Sequence, residues 1–287
     1  MTDEVRQALR ICPLAVREAI ERTPLCGSLE EVRFRCGTSI RLYANRKETE
    51  LPRSTVTKEL LQDILSAATE HSVYDAQSTI RQGFITLAGG HRLGLCGMAV
   101  EKDGEVTTLR DISSMNLRIA RQHLGCADSA ADYLWTHPRS ALIIGAPASG
   151  KTTLLRDLIR IISDRFLWRV SVVDERMELA CCLDGMPQLR LGAHTDVLSG
   201  TCKQRGIEML LRTMNPQWIA LDEITAEADV EAIVRASYCG IRFLATAHAV
   251  GREDLHHRPV YQKLMQAQIF ENLITILPNR QVRTEGM

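Results

Sequence analysis

Between Ala141 and Ile162 the chain reads ALIIGAPASGKTTLLRDLIRII, and this stretch constrains the fold more than any other. A short apolar run of strand length comes first. GAPASGKT, Gly145 to Thr152, then satisfies GxxxxGK(S/T), and Leu154, Leu155, Leu158 and Ile162 follow at helical spacing. Strand, glycine loop and helix in that order make a phosphate cradle. Backbone N–H groups must close around phosphate oxygens with no Cβ in the way, and the helix N-terminus adds its positive dipole. The predicted nucleotide-binding segment is Gly145, Ala146, Pro147, Ala148, Ser149, Gly150, Lys151, Thr152 and Thr153. Lys151 supplies a mobile charge for the β- and γ-phosphates, Thr152 holds Mg²⁺ through its hydroxyl, and Thr153 adds a nearby hydroxyl and N–H. The bland alternative is a simple glycine turn, and the strand and helix on either side argue against it.

The rest of this half alternates strand and helix, which is the mark of parallel βαβ construction. Predicted strands are Ala141 to Gly145, Arg169 to Asp174, Trp218 to Asp222 and Phe243 to Ala247, each short and apolar as a doubly covered sheet requires. Ile207, Leu210, Leu211 and Met214 mark a helix ending before Pro216. WIALDE places Asp222 and Glu223 at the C-terminal end of a strand, where open α/β sheets bind ligands. Asp222 is assigned to the Mg²⁺ shell. Glu223, pointing the other way, is assigned to orienting or deprotonating water, against the alternative that the pair merely caps a helix with Thr225. RVSVVDER puts Asp174 and Glu175 on the same rim, facing the nucleotide or forming a rim ion pair with Arg176. FLATAH ends on His248, either a structural histidine or a sensor of the γ-phosphate.

Length sets the number of domains. With ~100 to 200 residues in an average domain, 287 residues predict two. Apolar residues at 45% and charged ones at 24% describe a globular chain and exclude global disorder. Equal numbers of basic and acidic residues leave no overall electrostatic footprint for nucleic acid or anionic lipid. The longest uncharged run, Ser140 to Gly150, falls far short of the ~20 apolar residues of a membrane span. The N-terminus has no apolar stretch behind a basic start, so a cytoplasmic protein is expected. Nine cysteines without a C-x-x-C pair read as reduced thiols, treated as buried small hydrophobes.

The first half has a different rhythm. A helical pattern from Asp3 to Glu21 is broken by Pro13. Val32, Phe34 and Cys36, then Ile40 and Leu42, alternate with arginines as a half-buried hairpin with Gly37 near its turn. Leu61, Ile64, Leu65 and Ala68 share a helix face, and strand rhythm resumes over Phe84 to Val100, Val106 to Leu109 and Leu117 to Ala120. The expected architecture is therefore α/β: an N-terminal α+β domain over 1–124 and a P-loop NTPase core over 125–287.

GAPASGKTTLLRDLIR, VVDERMELA, TDVLSG, LLRTMNPQWIALDEI and TAHA together resemble the stage III sporulation AA family. LEEVRFRCGTSIRL, GFITLAGGHRLGLCG and SSMNLRIARQ extend the resemblance into the first half. It implies a RecA-like core similar to the hexameric ATPases of type II and type IV secretion. It further implies a homo-oligomer, a hexamer, using ATP and Mg²⁺ at the mother-cell membrane, to which it is peripheral, with other stage III sporulation channel proteins as partners. Position by position, the resemblance implies an acidic box at Asp174 and Glu175, Walker B carboxylates at Asp222 and Glu223, and a histidine box at His248. It adds Arg118, Arg121 and Arg212 as cations for transition-state charge, their alternative being plain solvation. Thr225 and Ala226 stand where the family carries Gly and a basic residue, and His194 replaces an Arg, so slow ATP turnover is expected. Two other functions fit the phosphate loop: a phosphotransferase, disfavoured by Glu223 beside Asp222, and a nucleic-acid remodeller, disfavoured by neutral charge.

Overall fold

The computed structural model describes residues 2–69 and 80–287. It divides into two compact units, Met1–Arg121 with Leu183–Gln188, and Gln122–Cys182 with Leu189–Met287.

In the first unit, α1 (Asp3–Ala8) and α2 (Leu14–Glu21) precede three strands, β1 (Leu29–Arg35), β2 (Ser39–Ala44) and β3 (Lys47–Thr55). Helix α3 (Lys58–Ala68) follows, and β4 (Phe84–Thr86), β5 (Arg92–Lys102) and β6 (Glu105–Arg118) complete a sheet of order β3-β2-β1-β6-β5-β4. Neighbouring strands are antiparallel throughout. Val32, Phe34, Ile40 and Leu42 turn one sheet face into core, while Arg33 and Arg41 pair on the other. Gly37, at φ +81°, makes the turn between β1 and β2 and leaves Cys36 exposed beyond the strand.

Two expectations are corrected in this unit. Segment 106–109 and the start of segment 117–120 belong to one long strand, β6, which ends at Arg118 and whose middle is polar and largely exposed. A bulge hides the continuity: register shifts between Cys96 and Met98, Asp111 adopts φ +46°, and a Cβ on Gly97 would lie 2.4 Å from the Arg110 carbonyl. The cysteines are not uniformly buried either. All nine are free, but only Cys12 and Cys26 are buried, and five are exposed.

His91 is the most deeply buried polar side chain among the described residues of this unit. It is 1% exposed, accepts a hydrogen bond from the Ala120 N–H at Nδ1 (3.0 Å), and leaves Nε2 without a partner. Burial pushes its pKa down to about 4, against a smaller upward pull from Glu4. The unfolded chain therefore takes up this proton near pH 6.5 while the folded one resists until about pH 4. Stability should be complete above pH 6.5 and fall on acidification toward pH 4. Denaturant midpoints across that window should show the slope, and His91→Asn should flatten it.

The second unit begins with α4 (Asp128–Thr136), β7 (Ala141–Gly145), α5 (Lys151–Phe166), β8 (Val170–Asp174) and β9 (Thr195–Ser199). It continues through α6 (Lys203–Thr213), β10 (Trp218–Leu221), α7 (Glu227–Ser237) and β11 (Arg242–His248). Helices α8 (Arg252–His257) and α9 (Pro259–Gln266) and strands β12 (Asn272–Ile276) and β13 (Val282–Gly286) close it. The sheet order is β13-β12-β7-β11-β10-β8-β9, parallel except for β13. Both faces are covered, which explains the unbroken apolar strands. Ala141 and Ile143 join one core while Leu142 and Ile144 join the other. The next strand after the phosphate loop and its helix, β8, lies three places away from β7 because β11 and β10 intervene. No helix among the described residues is long and apolar enough to cross a membrane.

Helix α6 packs on β8 through a glycine. A Cβ on Gly206 would come within 2.5 Å of Val173 Cγ1, and Val173 is buried and β-branched, so it has little freedom to withdraw. Alanine raises helix propensity by up to ~1 kcal/mol relative to glycine, but overpacking costs about 1–3 kcal/mol. Gly206→Ala should therefore lower the denaturant midpoint rather than raise it.

Candidate nucleotide site

The site gathers at the C-terminal ends of β7, β8, β10 and β11, with Tyr261 brought in from α9. β7 ends on Gly145, whose missing Cβ matters: one built there would lie 2.6 Å from Ser149 Oγ. Ala148 at φ +58° and Gly150 at φ +102° curl the loop into the first turn of α5. Helix geometry leaves the N–H groups of that first turn without intrahelical acceptors. Ser149 Oγ is buried without a hydrogen-bond partner. A phosphate oxygen would satisfy such groups, so the loop fits the predicted ligand on its own geometry.

Lys151 is 6% exposed, and its ammonium donates to Gly145 O and Ala146 O, both at 3.0 Å, and to His248 Nδ1 at 2.8 Å. Burial lowers its pKa, opposed by the charges of Glu223 and Asp222. One residue on, Thr152 Oγ1 donates to Asp222 Oδ2 at 2.9 Å. Thr246, fully buried on the intervening β11, donates to Asp222 Oδ1 at 2.7 Å and accepts from the Glu223 N–H at 2.8 Å. The hydroxyl and carboxylate of Thr152 and Asp222 are hard oxygen donors side by side, the type that holds Mg²⁺ together with phosphate oxygens.

Glu223 leaves β10 at φ +42°, a left-handed conformation that directs its side chain away from Asp222. Its Oε1 lies 3.1 Å from His248 Nε2, and its Oε2 accepts from Arg176 Nη1 at 2.9 Å. With Lys151 donating to Nδ1, the ring carries its proton on Nε2 and donates it to Glu223. His248 is held from behind: its N–H donates to Tyr261 Oη at 3.1 Å, and that hydroxyl donates to Ile224 O at 3.3 Å.

Other rim residues take different places. Asp174 is buried, and its oxygens accept from the N–H groups of Glu178, Leu179 and Ala180 at 2.8, 3.0 and 2.8 Å, so it braces the loop after β8. Glu175 pairs with the buried Lys203 at the start of α6. Arg176 pairs with Glu223, and the expected rim pair with its own neighbours does not form. Arg212 is exposed in the last turn of α6, roughly 14 Å along the axis from Lys203 at ~1.5 Å per residue, and is not brought to the phosphate loop of its own chain. Arg121 donates to the carbonyls of Gly27 and Leu29 at 3.1 and 3.0 Å, and Arg118 lies 3.7 Å from Glu31, each within the first unit. His194 donates its N–H to Ser163 Oγ at 2.7 Å, at the N-terminal edge of the sheet where β9 begins. Its substitution therefore lies at the opposite edge from the phosphate loop. Thr225 is not the cap of α7: Ala226 holds that position, and Asp229 accepts from the N–H groups of both Thr225 and Ala226.

Thr246 and Tyr261 are members to which sequence reasoning assigned no role, and Arg176, expected to pair with Asp174 or Glu175, pairs with Glu223 instead. Thr246 was legible as a hydroxyl inside a buried apolar strand, which needs a polar partner. The other two depend on loop geometry that spacing does not encode.

Solved structures share this arrangement of elements. The Legionella pneumophila ATPase DotB superposes with a TM-score of 0.60 over 96% of this chain and 80% of its own, at 14% identity. The pilus retraction motor PilT with bound ADP gives 0.62 over 95% and 81%, at 18% identity. At these identities the likeness establishes the fold, a RecA-like P-loop core. Stage III sporulation protein AA of Bacillus subtilis (strain 168) is 34% identical over 279 residues, 95% of this chain and 91% of that protein. The model of the family described as "Sporulation stage III, protein AA" matches residues 2–284. With motif, fold and sequence in agreement over nearly the whole length, the chain belongs to the sporulation stage III, protein AA family.

Proposed function

We propose that this chain binds Mg·ATP at the Gly145–Thr153 loop and hydrolyses it slowly, as a subunit of a homohexameric ring serving a secretion-like channel between mother cell and forespore. The observation that carries this is the hydrogen bond from Thr152 to Asp222, one residue on from a Lys151 ammonium held by the loop carbonyls of Gly145 and Ala146. Lys151 binds the β- and γ-phosphates, and the loop and helix N–H groups bind their oxygens. Thr152 and Asp222 would hold Mg²⁺, which would supply positive charge to offset that of the phosphates. Glu223 accepts a proton from the attacking water, and His248, anchored through Tyr261, fixes the orientation of Glu223. Glu175, tied to Lys203, supports the rim, and the base role falls to Glu223.

Arg118, Arg121 and Arg212 serve as cations for the transition-state charge, delivered from a neighbouring domain or subunit. Association is peripheral to the membrane, with other stage III sporulation proteins as partners and no nucleic acid. Phosphate release from Mg·ATP by the purified full chain, with no added acceptor, tests the reaction class. Release at a rate above solvent hydrolysis supports an ATPase, and strict dependence on an added acceptor contradicts it.

A further inference from the structure

All three donors of the Lys151 ammonium are engaged within the chain, by two loop carbonyls and His248 Nδ1. The imidazole continues the line to Glu223, and the second oxygen of Glu223 takes Arg176. One connected path thus runs from the phosphate loop to an arginine at the rim, with Glu223 restrained at both oxygens.

Little holds that arginine. Its side chain is 59% exposed, and an exposed ion pair contributes only ~0–1 kcal/mol. Neighbouring cations are committed: Arg156 donates to Leu179 O and Glu178 O at 2.7 Å each, and Lys203 is buried against Glu175. A phosphoryl group offers the planar guanidinium two oxygens and more charge than one carboxylate, a better partner for its fork of N–H donors. Lys151 must also leave His248 to reach a phosphate, because it has no donor to spare, and that departure loosens the same line from its other end.

We propose that Arg176 is the residue by which this site distinguishes a triphosphate from a diphosphate. Seen here on Glu223, it transfers to the terminal phosphate of bound ATP, and its departure frees one oxygen of Glu223 for the attacking water. A diphosphate fills the loop without offering the group that draws Arg176 away, so Glu223 stays restrained after phosphate leaves. The inference rests on the nucleotide reading above, and its test separates the two.

Calorimetric titration of the full chain with Mg·ADP and with a non-hydrolysable Mg·ATP analogue, on wild type, Arg176→Ala and Arg176→Lys, decides it. Wild type should prefer the analogue. Arg176→Ala should bind ADP within about twofold of wild type and lose about tenfold or more for the analogue, with Arg176→Lys recovering part of the loss. An alanine variant that keeps its preference for the analogue overturns the role of Arg176. Equal loss of both ligands also overturns it, since that marks damage to the cradle. Wild type binding neither ligand would remove the nucleotide reading itself.

Discussion

Lys151→Ala is expected to weaken Mg·ATP binding by at least ~100-fold, about 3 kcal/mol, which places it beyond detection at ordinary protein concentrations. The ammonium is the full positive charge that the Gly145–Thr153 loop carries, held against the carbonyls of Gly145 and Ala146 and beside His248. Backbone N–H groups and the helix dipole would remain in the variant, but they offer partial charges to a ligand with several negative ones. A fold control is needed because Lys151 is buried: far-ultraviolet circular dichroism of the variant should match wild type. Of the two carbonyls it releases, that of Ala146 lies on an exposed residue open to water, while that of Gly145 is buried. Wild-type affinity in a folded Lys151→Ala variant would mean that the ligand binds elsewhere.

The second large effect separates binding from chemistry. Glu223→Gln should retain Mg·ATP affinity within a few-fold and lose turnover by about 10²–10⁴, the usual contribution of a positioned general base. The amide is isosteric, and one oxygen remains to accept from His248 or Arg176, but it cannot take a proton from water. Single-turnover phosphate release, measured beside equilibrium binding on the same preparation, reads both quantities. Undiminished turnover in Glu223→Gln would shift the base role to Glu175, the other rim carboxylate. That outcome would be hard to reconcile with the geometry, because Glu175 is ion-paired to Lys203 while Glu223 adjoins the Lys151–His248 line.

Much of this site was legible in one dimension because its chemistry imposes local patterns. The phosphate loop needs a glycine where Ser149 crowds Gly145 and another where φ reaches +102° at Gly150, so both leave a signature in sequence. Strands buried on both faces must be apolar throughout, which marked β7, β8, β10 and β11 and placed their polar ends at one rim. Partnership across that rim is another matter. Which carboxylate Arg176 meets depends on the left-handed turn at Glu223 and the path of the loop after β8, which Asp174 braces through main-chain N–H groups. Neither has a spacing rule. Edge strands were the weakest signal: β9 is only half-buried, so TDVLS lacks the apolar run that exposes the central strands. In the first unit, the bulge beside Gly97 shifted the inside–outside alternation and made one long strand read as two. Arg212 came from resemblance alone: it stands in the last turn of α6, and no spacing within its helix marks it for a nucleotide.

Isothermal titration of the full-length wild-type chain with Mg·ATP, run beside a melting curve at millimolar nucleotide, is the most direct measurement of whether the Gly145–Thr153 loop grips a triphosphate. The expected result is saturable heat with a rise in melting temperature, both lost in Lys151→Ala. No heat and an unchanged melting temperature in wild type would contradict it.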